Sequence, residues 1–108
     1  MKRSLVGEIV IITGAGSGIG LAATTEFLKE GAYVIGGDIN LEQLYELQGG
    51  ENLFPYQFDV GNPSDIDGLI NTVINKFGRI DILINNAALV NQSAWLYSNG
   101  SECITLYA

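Results

Sequence analysis

Histidine is absent from these 108 residues, cysteine occurs once and proline twice. Without histidine there is no Ser-His-Asp relay and no histidine-ligated metal. The lone Cys103 cannot close an internal disulfide, so a reducing, cytoplasmic compartment is expected. Basic residues are scarce: five Lys and Arg stand against twelve Asp and Glu, a net charge of −7. No basic stripe is available to track nucleic acid phosphates, so no nucleic-acid partner is expected. The acidic residues lack the spacing of a calcium loop, and no metal ligand is assigned. Long apolar runs are missing too. The longest are strand-sized, so no membrane span is expected. After Met1-Lys2-Arg3 the apolar segment is too short for a secretory signal, and Glu8 interrupts it. Internal repeats and low-complexity segments are also absent.

What is present is a hydrophobic fraction of 47%, enough to build one core. The rest of the chain is organised around Ile9 to Gly20, reading Ile-Val-Ile-Ile-Thr-Gly-Ala-Gly-Ser-Gly-Ile-Gly. Ile9 to Thr13 are all β-branched, which suits a strand buried on both faces. Glycines follow at Gly14, Gly16, Gly18 and Gly20, and Ile19, Ala22, Ala23 and Phe27 then recur at helical spacing. A buried strand, a glycine-rich turn and a helix form the arrangement that holds a dinucleotide pyrophosphate. No Lys or Arg lies between Glu8 and Leu28, so such an anion would be held mainly by backbone amides and the helix dipole.

Read onward, the chain alternates strand and helix. Helix one is expected from Gly18 to Glu30, ended by Gly31, and strand two from Ala32 to Asp38. Gly36 and Gly37 interrupt that strand, either to admit a ligand's adenosine or to admit a close-packed helix. Asn40 is the expected cap of a short helix two, with Gln43 in capping-box position. Strand three, Leu53 to Asp59, contains Pro55, which cannot donate to a ladder and therefore belongs at a sheet edge. Helix three is the clearest: Asn62 caps it and Pro63 takes the first position. Ile66, Leu69, Ile70, Val73, Ile74 and Phe77 make one stripe, and Gly78 ends it. Strand four is expected from Ile80 to Leu83 or Ile84. Four parallel strands with helices on both faces are expected, in the doubly wound order 3-2-1-4, which puts strand three at an edge.

The glycine spacing is not G-x-G-x-x-G. It is Thr13-Gly14-x-x-x-Gly18-Ile19-Gly20, which resembles the short-chain dehydrogenase/reductase family, an oxidoreductase family with a Rossmann fold. The resemblance implies a partial Rossmann domain that binds NAD through Gly14, Ser17, Gly18, Ile19 and Gly20. Asp38 ends strand two, where a carboxylate accepts hydrogen bonds from the adenosine ribose. A 2′-phosphate there would meet like charge with no nearby Lys or Arg to offset it, which favours NAD over NADP. Asp59-Val60 resembles the family's Asp-Val pair beside the adenine. Asn85-Asn86-Ala87-Ala88 resembles the family's N-N-A-G. The resemblance implies that Asn85 braces the sheet through backbone hydrogen bonds and that the backbone of Asn86, Ala87 and Ala88 lines the cofactor. Ala88 departs from the family's glycine by a Cβ.

The family's chemistry rests on a serine and a Tyr-x-x-x-Lys that come later in the chain. No lysine follows Lys76, and Tyr97 meets Ser101 four places on. No catalytic residue is therefore assigned. Residues 1–88 are expected to form the NAD-binding half-domain and 89–108 a tail unlike the family. In that tail, Ala94 to Tyr97 and Cys103 to Tyr107 flank Asn99-Gly100, a hairpin signal. A break in the reading frame near residue 89 is the other account of it. Three functions follow as expectations: a truncated, inactive portion of a dehydrogenase, a non-catalytic NAD-binding module, or an unstable remnant. With strand five expected to be missing, the strand-four edge would be open to self-association unless the tail hairpin covers it.

Overall fold

The computed structural model describes residues 4–47, 50–59, 61–85 and, as backbone alone, 102–105. The β-branched run forms β1, Ile9–Thr13, buried along its whole length. The glycine-rich turn leads into α1, Gly18–Lys29. Next come β2, Tyr33–Asp38, and a single-turn α2, Glu42–Tyr45. A 3-10 turn at Gly50–Asn52 precedes β3, Leu53–Gln57. The last pieces are α3, Pro63–Phe77, then β4, Ile82–Asn85, and β5, Glu102–Thr105. All strand pairs are parallel, and the sheet runs β3-β2-β1-β4-β5. The order 3-2-1-4 is as expected, and Pro55 does lie on an edge strand.

Because side chains alternate along a strand, β1 splits its residues between two cores. Ile9 and Ile11 join Ile35 and Leu83 under Leu69, Ile70 and Val73 of α3. Val10 and Ile12 join Val34, Ile82 and Ile84 on the other face, against α1 residues and Leu44 of α2. Each large aliphatic side chain buried in this way contributes roughly 1.5–3 kcal/mol.

The third helix forms as its sequence dictates. Asn62 accepts the Ser64 amide at 3.0 Å, Pro63 takes the first turn, and Gly78 closes the helix in the left-handed conformation, φ 80°. Two other helices differ from expectation. In α1, Ile19 is 57% exposed and Ala22 is exposed, whereas Gly20 and Thr24 are the buried positions. These compact residues bring the helix close to the sheet, and the Thr24 hydroxyl is satisfied by the Gly20 carbonyl at 2.8 Å. The helix near Asn40 starts at Glu42, with Leu41 in the cap position and no side-chain cap from it. Asn40 still accepts the Glu42 amide at 3.0 Å, so its capping chemistry is spent one residue early.

Of the two readings of Gly36 and Gly37, packing is the one the structure supports. A Cβ on Gly36 would lie 3.2 Å from Ala15 and from Leu44, and one on Gly37 would lie 2.6 Å from Cε1 of Phe58.

Of the two expectations for the strand-four edge, left open or covered by the tail, the structure shows it covered. The segment Glu102–Thr105 pairs with β4 in parallel, from Ile82 opposite Glu102 to Asn85 opposite Thr105. Of the hairpin's two expected arms, only part of the second is described, and it has β4 as a parallel neighbour. The first arm and the Asn99-Gly100 turn lie outside the described residues. The physical reason is backbone satisfaction: the unpaired N–H and C=O row of β4 is matched by a β-prone segment. The intervening 86–101 exceeds the dozen or so residues that a parallel crossover needs. The sheet therefore has a fifth strand where four were expected, and β4 offers no edge to a second copy.

Candidate functional site

In a parallel sheet every strand points its carboxyl end the same way, so Thr13, Asp38, the Asp59 turn and Asn85 gather along one border. Open α/β sheets bind ligands at that border. The structure joins several of these residues directly. The Thr13 hydroxyl donates to the Asn85 side-chain oxygen at 3.0 Å, linking the ends of β1 and β4. Both residues are buried, so the tie between the two strands is a side-chain one.

The turn after Thr13 is shaped for close approach. Gly14 and Gly18 have φ of 65° and 53°, a region costing other residues roughly 1–2 kcal/mol. A Cβ built on Gly18 would meet nothing within 4 Å, so the space beyond it is open. Ser17 is extended and supplies no side-chain cap to α1, and no acidic residue lies in the first turn. The first intrahelical bond is Leu21 N–H to Ser17 O, 3.1 Å. The amides of residues 18–20 precede it and have no acceptor within the helix. This arrangement suits an anion such as a pyrophosphate, and Ile19 stands exposed beside it.

Asp38 ties this turn to β2. One carboxylate oxygen accepts the Gly16 amide at 2.8 Å and the other accepts the Asn40 amide at 3.2 Å. Each oxygen keeps acceptor capacity for a ligand hydroxyl. Asp59 is placed less directly. Its carboxylate accepts the Gly61 amide and its own amide donates to Asp65, both at 2.9 Å, so it serves the turn into α3. Val60, Asn86, Ala87 and Ala88 lie outside the described residues.

The sequence reading passed over Ile39 and the particular part played by Gly16. Ile39 is 63% exposed immediately after Asp38. Its signal was an apolar residue directly past a strand-end acid. With Asn40, Leu41, Glu42, Tyr45 and Gln57 it borders an open depression of about 550 Å³. A more enclosed cavity of about 170 Å³ is lined by Ile35 with β3 and α3 residues, none of them from the glycine turn.

Electrostatic perturbation lies at the opposite end of the sheet. Burial pushes the Asp81 carboxyl up, but hydrogen bonds from the Ile9 amide and Arg79, with the Glu8 side chain, bring it below its ordinary value of 3.8. The Asp81 hydrogen bond and charge in turn raise Arg79. The Arg79 Nε and the Ile9 amide both reach one Asp81 oxygen at 2.8 Å, fastening the start of β1 to the approach to β4. This is a structural clasp, remote from the glycine turn. Among the described residues no cluster of three metal-ligating side chains exists, and no helix is long and apolar enough to cross a membrane.

Comparison with known proteins agrees with this geometry. Residues 8–102 match the family model for short chain dehydrogenase, so the similarity continues beyond Ala88. The 3-oxoacyl-(acyl-carrier-protein) reductase of Thermotoga maritima is 43% identical over 94 residues, covering 82% of this chain and 38% of that protein. A crystallised short chain dehydrogenase from Bacillus anthracis superimposes with a TM-score of 0.69 at 45% identity, over 75% of this chain and 34% of that one. A 3-ketoacyl-(acyl-carrier-protein) reductase from Brucella melitensis, solved with NADH, gives 0.72 at 35% identity, over 78% and 35%. The chain thus spans little more than a third of each of these three proteins.

Proposed function

This chain belongs to the short-chain dehydrogenase family, an oxidoreductase family with an NAD(P)-binding fold, and from that membership we propose that it binds NAD(H) in preference to NADP(H). The observation that carries the choice is Asp38. Its carboxylate stands at the end of β2, held by two backbone amides and joined to the glycine turn. A ribose with two hydroxyls can donate to it, whereas a 2′-phosphate brings negative charge against it. The arrangement of the turn fits the group: open space beyond Gly18, and helix amides not capped by Ser17.

When bound, the nicotinamide carries the hydride of the family's redox chemistry. In our reading the amides around Gly14, Ser17, Gly18, Ile19 and Gly20 hold the pyrophosphate, and Asp38 holds the adenosine ribose. Asp59 and Val60 flank the adenine, and Asn86, Ala87 and Ala88 line the cofactor further along. Cofactor binding is assigned to residues 1–88, and a cytoplasmic location accords with the single Cys103. These 108 residues contain no Tyr-x-x-x-Lys, so we assign them binding without turnover, as the cofactor-holding portion of a carbonyl or alcohol oxidoreductase.

Calorimetric titration with NAD and NADP tests the reading. NAD is expected to bind at least about tenfold more tightly, the effect of roughly 1.4 kcal/mol. Equal affinities would refute the choice of cofactor.

A further inference from the structure

Gly16 is buried, and its backbone, not its turn geometry, is what the site uses. Its amide donates to Asp38 Oδ2 at 2.8 Å, while the Asn40 amide holds Oδ1 at 3.2 Å. Asp38 is itself anchored on the sheet, since its carbonyl accepts the Phe58 amide at 3.1 Å. A Cβ built on Gly16 would lie 2.5 Å from the Asn40 carbonyl oxygen, 2.9 Å from Asp38 Oδ2 and 3.1 Å from Asp38 Cγ. The first of these neighbours is backbone and cannot swing aside as a side-chain tip would. Any side chain at position 16 must therefore move both the Asn40 carbonyl and the Asp38 carboxylate.

We infer that Gly16 is a positioning residue for cofactor choice: by lacking a side chain it lets its amide clamp the Asp38 carboxylate in one orientation before the ribose arrives. Glycine at this position thus serves the selectivity of a neighbouring acid, and open approach to phosphate is left to Gly18. The inference rests on Asp38 being the acceptor of the adenosine ribose. A carboxylate fixed in advance loses no rotational freedom on binding, which is how preorganisation raises affinity. It also cannot turn away from a 2′-phosphate, so the same clamp disfavours NADP(H). The effect should act through Asp38 alone.

The test uses the whole 108-residue chain, with NAD and NADP as calorimetric ligands and circular dichroism to confirm folding. Gly16→Ala is expected to weaken NAD about tenfold while NADP stays level or gains. In the Asp38→Ala background the same substitution is expected to leave NAD affinity unchanged. Equal weakening of both cofactors, or an undiminished loss in the Asp38→Ala background, would overturn the inference while leaving the NAD reading intact. A wild-type protein that binds both cofactors equally would sink that reading and the inference with it. Should Gly16→Ala not fold, amide hydrogen exchange at Gly16 in the cofactor-free protein decides. Exchange at least about tenfold slower in wild type than in Asp38→Ala supports the clamp, and equal rates refute it.

Discussion

Gly37 and Phe58 stand so close that a Cβ on the glycine would fall 2.6 Å from Cε1 and 3.0 Å from Cδ1 of the ring. The glycine in β2 therefore exists for the aromatic side chain that follows β3, and Phe58 is buried because of it. Gly37→Ala is expected to destabilise the fold by about 1–3 kcal/mol, the usual cost of overpacking. Pairing it with Phe58→Leu should recover part of that loss, since the obstructing ring is gone. Urea denaturation of the two single variants and the double variant measures the coupling. Additive losses would mean that the two sites do not share this contact.

Asp38→Ala is expected to narrow the gap between NAD and NADP. A hydrogen bond to a charged group is worth roughly 1.5–3 kcal/mol, so NAD should weaken between about ten- and a hundredfold. NADP should gain or stay level as the like charge disappears. Calorimetry on wild type and variant reads both, and an unchanged ratio would remove Asp38 from cofactor choice.

Gly18→Val should abolish dinucleotide binding. The position has φ 53° with open space beyond it, so valine adds backbone strain of about 1–2 kcal/mol and fills the space assigned to pyrophosphate. Circular dichroism should show the fold retained. Binding at wild-type strength in a folded variant would place the anion elsewhere.

The Asp81 clasp predicts a pH dependence of stability. Its carboxyl titrates below the ordinary 3.8 when folded. A group lowered in this way contributes in full above its unfolded pKa and loses that contribution as pH falls through the folded value. Asp81→Ala is expected to cost about 1–3 kcal/mol at neutral pH, chiefly by leaving the Ile9 amide without its acceptor. The partly exposed pairing with Arg79 adds little. The gap between wild type and variant should shrink as pH drops below about 3.9, followed by urea unfolding across that range. A gap independent of pH would show that the charge on Asp81 carries none of it.

Turnover should be absent from these 108 residues even where NAD binds. Hydride transfer to a carbonyl needs a proton donor at the oxygen, and general acid–base help typically supplies about 10²–10⁴-fold. Tyr33 and Tyr56 belong to β2 and β3, and Tyr45 to α2, all on the β2–β3 side of the sheet. Spectrophotometric assays of NADH with simple ketones, aldehydes and β-ketoesters should show no consumption. Stereospecific turnover by the purified chain would require a catalytic acid among residues not assigned one.

Much of this architecture was already written in local sequence. Consecutive β-branched residues define β1 because only a doubly buried strand accommodates them, and Asn62, Pro63, the apolar stripe and Gly78 define α3 because caps and periodicity act within a few residues. Pro55 placed β3 at an edge because a missing N–H is a local property with a global consequence. Thr13, the glycine spacing and Asp38 marked the carboxyl border of the sheet for the same reason: each is a strand end or turn. What local sequence did not disclose were partners far along the chain. Gly16 meets Asp38 across 22 positions and Ile9 meets Asp81 across 72. Gly37 owes its lack of a side chain to Phe58, and β5 takes its place parallel to β4. Periodicity states which face of an element is buried, but which residue lies against it depends on how strands are ordered and registered. That order is settled by the simultaneous burial of both sheet faces and the pairing of every interior backbone edge, conditions that only the assembled sheet can satisfy.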